Sequence, residues 1–186
     1  MTVETVGRGD GVTTAPTPSQ TVGPFFRLGF AWLTPSRHLV APGSPGALSL
    51  TGRMTDGDGA AVPDGVVELW QADGAGGFPP DSPPGWTGFG RCLTDDEGRY
   101  ELTTVAPGPV DEDQAPHIDV SVFARGLLQR LVTRIYLPGQ AANDADPVLA
   151  AVDPARRATL VAERDGSDLT FDIRLQGELE TVFFRW

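Results

Sequence analysis

The sequence has 186 residues, 40% of them hydrophobic, which is enough for one domain with a packed core. Its 25 acidic and 14 basic residues give a net charge of −11 at pH 7, and such a surface repels nucleic acid. No apolar run approaches the roughly 20 residues of a membrane span. The start of the chain lacks the pattern of a signal peptide, and the single Cys92 excludes an internal disulfide. We therefore expect a cytoplasmic protein that binds neither nucleic acid nor membrane.

The first 45 residues differ from the rest of the chain. Residues 1–14 are small and polar without an apolar period, and they predict a mobile tail. Residues 15–45 contain the segment PTPSQTVGPFFRLGF, whose three prolines and two glycines exclude a helix. Its four large apolar side chains are nevertheless unsuited to water. We therefore predict that residues 15–45 form an extended N-terminal arm pressed onto its own domain or onto a partner.

Residues 46–186 show the alternation of short, half-buried strands. At least seven strands are expected, at residues 48–54, 66–71, 91–94, 99–105, 117–125, 131–137 and 169–176, and residues 181–184 are a candidate for an eighth. The turn Asp95-Asp96-Glu97-Gly98 predicts a hairpin between the third and fourth strands. A loop dense in glycine and proline spans residues 74–90. The pattern predicts an all-β sandwich domain over residues 46–186.

Helix signals are confined to two dipeptides. Asp146-Pro147 and Asp153-Pro154 each place a capping residue before a proline at the first helical position. Each is sufficient for a turn or two of helix. The expected fold class is thus a β-sandwich with long loops, an extended arm and at most short helices.

Two levels of resemblance follow from these segments. The stretches GRMTDGDGAAVPDGVVELW and TDDEGRYELTTVAPGPV resemble the transthyretin-like sandwich, a pattern shared by unrelated modules that indicates only the fold. Five ordered blocks between residues 17 and 184 resemble more specifically the non-iron, α-type subunits of intradiol ring-cleaving dioxygenases that act on protocatechuate. These blocks are TPSQTVGPFF, GRCLTDDEGRY, APHIDVSVFARGLL, TRIYLPG and FDIRLQGELETVFF.

This resemblance implies an enzyme subunit of the intradiol dioxygenase family. Members of that family use O₂ and a ferric ion to open the ring of a catechol between its two hydroxylated carbons. Protocatechuate or a related catechol is the implied substrate, and protocatechuate would give 3-carboxy-cis,cis-muconate. The implied Fe(III) is held by two tyrosines and two histidines of a partner β subunit. The chain alone is therefore expected to be inactive.

The same resemblance implies that this chain holds no metal. His117 matches one histidine of the family's His-x-His pair, but Asp119 stands in place of the second. The two tyrosine positions fall near Phe78 and Val110, whose side chains cannot coordinate a metal ion. No residue of this chain is therefore predicted to be a metal ligand, and the roles of His117 and Asp119 stay open.

The residues expected to serve the partner's site are Arg125, Thr21, Gly23 and Pro24. By resemblance, Arg125 of the FARG motif supplies positive charge to the negatively charged substrate. Strand alternation places Arg125 on the face opposite Ile118, Val120 and Val122, directed outward. Thr21, Gly23 and Pro24 would line the partner's pocket. An ordinary surface arginine and an arm packed on its own domain are the plainer alternatives.

Other interpretations lead to different classes of protein. A non-enzymatic transthyretin-like module that binds protein or carbohydrate would explain the strand pattern without the arm or FARG block. An Fe(II) site on His117 and Asp119 would need His38 as its third ligand. Two further expectations concern the periphery: Arg99, Arg130 and Arg134 are solvated strand charges, and residues 181–186 dock on the core or at an interface.

Overall fold

The computed structural model describes residues 17–32 and 36–185, which form a sandwich of two β-sheets. Two α-helices and nine strands are described. In chain order they are α1 (Pro24–Trp32), β1 (Ala47–Thr55), β2 (Val66–Trp70), β3 (Phe89–Leu93), β4 (Arg99–Val105), β5 (His117–Phe123), β6 (Leu131–Tyr136), α2 (Pro147–Ala151), β7 (Glu163–Asp165), β8 (Asp168–Thr170) and β9 (Ile173–Arg174).

The first sheet has the order β4-β1-β8-β7, and β9 also pairs with β1. The second sheet has the order β3-β2-β5-β6 and is antiparallel throughout. The predicted all-β sandwich is confirmed. The sequence did not predict β7, and the single strand expected at residues 169–176 is divided between β8 and β9.

The hydrophobic core lies between the sheets and follows strand alternation. On β5, Ile118, Val120 and Val122 have no exposed surface. They pack with inward side chains of both sheets, including Leu50, Leu69, Leu102, Ile135 and Leu169. The outward side chains of β5 therefore lie on the outer face of the second sheet.

The hairpin predicted around residues 95–98 is wrong. The turn itself forms, since Asp95 N–H donates to the Arg99 carbonyl at 2.9 Å and Gly98 adopts a φ of 75°. However, β3 pairs with β2, whereas β4 pairs with β1 along seven residues. The turn therefore carries the chain from one sheet to the other. Local turn chemistry reverses the direction of the chain, but it does not determine which strands pair.

The arm is not extended throughout, because residues Pro24–Trp32 form helix α1. Pro24 occupies the first helical position, where a missing N–H costs no hydrogen bond. Phe26 and Phe30, four residues apart, share one helix face with ring centroids 4.7 Å apart. The expected tail at residues 1–14 lies outside the described residues. The division into tail, arm and domain stays a prediction.

The two proline-based helix signals have different outcomes. Asp146 caps α2 as predicted, whereas Asp153 accepts from the Ala155 N–H within a turn. No α-helix begins there, and a short 3₁₀ helix follows at Arg157–Leu160. At the C-terminus, the predicted docking on the core is observed as far as Phe184, whose N–H donates to the Val132 carbonyl at 2.8 Å. This pairing is a single bridge rather than an eighth strand.

Tyr100 on β4 shows how closely the first sheet is packed. Its hydroxyl donates to the Phe171 carbonyl, and its side chain belongs to the core. A Cβ at Gly52, which is opposite Tyr100 on β1, would lie 1.9 Å from the Phe171 carbonyl oxygen. The position therefore requires glycine. Burial raises the pKa of Tyr100 well above that of an ordinary tyrosine.

We predict that this burial makes the protein less stable at alkaline pH. Above about pH 10 the unfolded tyrosine ionises while the folded one stays protonated, so the free energy of unfolding falls as pH rises. Tyr100→Phe should lower stability at neutral pH by about 1–3 kcal/mol, because the Phe171 carbonyl loses its partner. It should also flatten the decline between pH 9 and 11. Denaturant titrations across that range measure both effects, and an unchanged slope in Tyr100→Phe would contradict the assignment.

Asp146 joins α2 to the second sheet through a fully buried carboxylate. One oxygen accepts from the Val148 and Leu149 N–H groups at 2.9 and 2.8 Å and from the Tyr136 hydroxyl at 3.1 Å. The other oxygen accepts from the Ala115 N–H at 2.9 Å. A single side chain thus satisfies four buried or partly buried donors, and it fixes the segment that covers the end of β6.

Asp146→Ala should therefore destabilise the chain by about 3 kcal/mol or more, through the lost cap and the orphaned donors. Asp153→Ala is the matched control, since Asp153 caps only an exposed turn and its loss should cost about 1 kcal/mol or less. Chemical denaturation measures both values. Equal losses for the two variants would contradict the central position given to Asp146.

Candidate functional site

Arg125 lies just beyond the end of β5, at the rim of a surface cleft of about 430 Å³. Its side chain is 57% exposed, in the outward orientation that strand alternation indicates. Its Nε atom lies 3.0 and 3.3 Å from the two carboxylate oxygens of Asp64, whose side chain is only 16% exposed. The guanidinium is therefore held at its inner nitrogen and open to solvent at its outer edge.

The arm reaches the same place. The Thr21 hydroxyl accepts a hydrogen bond from the Gly126 N–H at 2.7 Å, directly beside Arg125. Gly23 and Pro24 follow at the start of α1, and both are exposed. A Cβ added to Gly23 would meet no atom within 4 Å. The structure thus brings Thr21 next to Arg125 and leaves the surface at Gly23 and Pro24 uncovered within the described chain.

Aromatic and cation–π contacts hold α1 against the outer face of the second sheet. The Phe26 ring lies 5.4 Å from that of Phe123 on β5. The Arg91 guanidinium lies 4.0 Å from the Phe30 ring centroid and also pairs with Glu68 at 2.6 Å. Because Arg91 and Glu68 face each other on β3 and β2, the sheet provides a rigid base for the arm.

The opposite side of α1 is apolar and uncovered among the described residues. Phe25 is 82% exposed and Leu28 is 52% exposed. Leu128, in the loop that follows Arg125, is 61% exposed. The exposure of large apolar side chains near Arg125 is typical of a surface that another protein covers.

The resemblance places Phe78, Val110, His117 and Asp119 at the family's metal positions, and their surroundings differ. The Phe78 ring stacks on Trp70 with centroids 5.4 Å apart, and Val110 is exposed. His117 directs Nδ1 to the Ala115 carbonyl at 2.7 Å. Asp119 lies 3.1 Å from the Arg134 Nε, so its negative charge already has a cation. This donor set does not fit a ferric ion, which favours phenolate and imidazole ligands.

Arg134 is not the solvated strand charge that the sequence suggested. It is only 7% exposed, and besides Asp119 it donates to the Gln114 side chain at 2.8 Å and to the Tyr136 hydroxyl at 3.4 Å. Burial raises the pKa of Tyr136 to about 12, so its hydroxyl stays protonated and donates to Asp146. The available signal for this pairing was side-chain alternation on β6. It directs Arg134 to the same face of the sheet as Asp119, the residue opposite it on β5.

A third ligand for an Fe(II) site on His117 and Asp119 does not come from His38. His38 forms a bridge with Thr103 in the first sheet, and its Nδ1 lies 3.0 Å from the Thr103 hydroxyl. Within residues 17–32 and 36–185, no three His, Cys, Asp or Glu side chains come together as a candidate metal site. The proposed carboxylate ligand Asp119 is instead paired with Arg134.

Asp64 is the residue at this site that sequence reasoning missed. It lies in the turn Val62-Pro63-Asp64-Gly65 with a φ of 60°, the only non-glycine residue with positive φ in the described chain. The Pro-Asp-Gly sequence indicates a turn, but no local signal shows that Asp64 contacts Arg125, 61 residues further along.

No helix in the described ranges is long and apolar enough to cross a membrane.

Comparison with known proteins finds relatives that align with most of the chain. The protocatechuate 3,4-dioxygenase alpha chain of Burkholderia cepacia is 44% identical over 191 aligned positions, which cover 90% of this chain and 96% of that protein. The alpha chain of Pseudomonas putida is 42% identical with similar coverage. The beta chain from Burkholderia cepacia is 34% identical over 81% of this chain and 74% of its own length.

Solved structures show the same fold at lower identity. The dioxygenase domain of a carbohydrate-binding fusion protein from Streptomyces sp. SirexAA-E has a TM-score of 0.62 at 24% identity and covers 91% of this chain and 96% of its own. Catechol 1,2-dioxygenase from Pseudomonas arvilla C-1 has a TM-score of 0.58 at 23% identity and covers 75% of this chain and 55% of its own. Residues 36–177 match the model of the family described as Dioxygenase. The chain therefore belongs to the intradiol dioxygenase family, whose members use Fe(III).

Proposed function

We propose that this chain is the non-iron, α-type subunit of a hetero-oligomeric protocatechuate 3,4-dioxygenase. The complex would use O₂ to convert protocatechuate to 3-carboxy-cis,cis-muconate, with Fe(III) held by a partner β subunit. The observation that carries the proposal is the replacement of metal donors: Asp119 is paired with Arg134, and Phe78 is stacked on Trp70. The similarity to two alpha chains and, more distantly, to a beta chain supports the same division of roles.

The proposed contribution of this chain is to shape the substrate pocket of its partner. Thr21, Gly23 and Pro24 would form part of the pocket wall, and the exposed Phe25 and Leu28 of α1 would be covered by the partner. The open surface at Gly23 allows another backbone or a ring to approach closely. Contacts of α1 with the second sheet hold this segment in position before assembly.

Arg125 would supply the positive charge that the substrate requires. A chain with a net charge of −11 repels an anionic catechol at long range, so binding needs a local cation. The outer edge of the Arg125 guanidinium is solvent-exposed, and a planar carboxylate matches its paired N–H groups. Arg125 would therefore bind the ring carboxylate of protocatechuate, leaving the ring hydroxyls to the partner's metal.

The first prediction concerns metal content. The purified full chain should hold far less than one ferric ion per polypeptide, whereas its complex with a β subunit should hold about one per pair. Tyrosinate bound to Fe(III) absorbs visible light, so only the complex should be coloured. Metal analysis and visible absorption measure both. Stoichiometric, tyrosinate-ligated Fe(III) in the isolated chain would overturn the proposed division of roles.

The second prediction concerns Arg125 in the assembled complex. Arg125→Ala should lower kcat/KM for protocatechuate about 10- to 100-fold, which corresponds to the roughly 1.5–3 kcal/mol of one hydrogen bond to a charged group. Arg125→Lys should be intermediate, because lysine keeps the charge without the paired N–H groups.

Two controls isolate the effect of Arg125. Arg164→Ala removes an exposed arginine from β7, which within the described ranges donates only to the Gly166 carbonyl across a turn. This variant should leave kcat/KM within about twofold. Unsubstituted catechol, which lacks the carboxylate, should be turned over with a much smaller difference between Arg125→Ala and the unaltered complex. An equal loss with both substrates would show that Arg125 does not bind the carboxylate.

A further inference from the structure

The contact between Asp64 and Arg125 involves the inner nitrogen of the guanidinium, Nε. Both carboxylate oxygens approach Nε, at 3.0 and 3.3 Å. Neither terminal nitrogen of Arg125 donates a hydrogen bond to any residue in the described ranges. A carboxylate in this position fixes the plane of the guanidinium through its inner nitrogen and leaves the paired terminal N–H groups free for a second planar anion.

The backbone that carries Asp64 adopts an uncommon conformation and is hydrogen-bonded on both sides. A φ of 60° is uncommon for a residue other than glycine. The buried Thr94 hydroxyl forms hydrogen bonds with the backbone on both sides of Asp64. It donates to the Val62 carbonyl at 2.8 Å and accepts from the Gly65 N–H at 2.8 Å. A Cβ at Gly65 would lie 2.8 Å from the Met54 sulfur, so the turn packs closely against the core at this position.

We propose that Asp64 is a positioning residue, which orients the Arg125 guanidinium so that its terminal N–H groups receive the carboxylate of an aromatic substrate. This inference rests on the proposed function and extends it to a residue outside the arm and the FARG motif. Backbone strain that the surrounding structure maintains is a feature of functional sites. Here the strain places a carboxylate beneath an otherwise exposed and flexible side chain.

Orientation and charge make opposite predictions for this residue. Asp64 neutralises part of the positive charge of Arg125, so its removal would strengthen the binding of any anion if charge alone mattered. If orientation matters more, its removal frees the Arg125 side chain, which must then be ordered again each time a substrate binds. The sign of the change in KM therefore distinguishes the two.

The test uses the complex with the iron-bearing partner and protocatechuate as substrate. Asp64→Asn keeps the shape of the side chain and tolerates positive φ, but it removes the charged clasp. It should raise KM about 3- to 10-fold with little change in kcat, the range expected for ordering one flexible side chain. Asp64→Gly, which also tolerates the backbone conformation, should raise KM at least as much. Thermal unfolding of each complex checks that both variants fold.

Asp56→Asn is the matched control for charge. Asp56 lines the same cleft but accepts hydrogen bonds from the N–H groups of Asp58 and Ala60 rather than from Arg125. Asp56→Asn removes the same formal charge as Asp64→Asn and should leave KM within about twofold. A comparable rise in KM for this variant would mean that the cleft responds to charge or to general disturbance, and it would overturn the assignment of Asp64.

The decisive comparison repeats Asp64→Asn in the Arg125→Ala background. If Asp64 acts through Arg125, the second substitution has no further effect on KM. An equal rise in both backgrounds, or an unchanged or lowered KM in Asp64→Asn alone, overturns the positioning role while leaving the function of Arg125 intact. If Arg125→Ala itself has no effect, the proposed function of Arg125 fails, and the role of Asp64 fails with it.

Discussion

The alternation of side chains along β5 is the constraint on which the rest of the structure depends. Ile118, Val120 and Val122 fill the core, and this burial fixes the register of β5 against its neighbours β2 and β6. Shifting the strand by one residue would bury Asp119 and expose the core side chains. The inner face therefore determines which side chains lie on the outer face. These include Asp119, which pairs with Arg134, and Phe123, which contacts α1 just before the FARG motif continues beyond the strand.

The outer face of the second sheet and the turn that follows β5 use three arginines in three different ways. Arg134 is buried and donates to Asp119 and to the Gln114 side chain, so its positive charge is paired within the chain. Arg91 is shared between Glu68 and the Phe30 ring of α1. Among the residues that the structure describes, Arg125 is held at one nitrogen only, and it remains exposed. A guanidinium can bind an external anion only where internal acceptors leave its edge free, and this distinguishes Arg125 from the other two.

Much of the fold could be predicted because its signals are local. Strand alternation identified β1 to β6 to within a few residues, and Asp146-Pro147 identified α2. Arg125 is exposed as predicted, although it lies in a turn beyond the end of β5 rather than within the strand. The errors arose where a local signal was extended to a distant partner: the turn at residues 95–98 was assigned to a hairpin, and the prolines before α1 were taken to exclude a helix although Pro24 occupies its first position.

The sequence by itself determined the sandwich, because strand alternation depends on short-range periodicity, and its ordered motifs determined the family by resemblance. The same resemblance placed Phe78 and Val110, which cannot coordinate a metal ion, at two of the family's metal positions. Only the tertiary structure decided that Arg134 is buried against Asp119, that Thr21 contacts Gly126, and that Asp64 holds Arg125. The physical reason is that a hydrogen bond or ion pair acts over a few ångströms in space. Which charges meet at that distance depends on how the two sheets and the arm pack together.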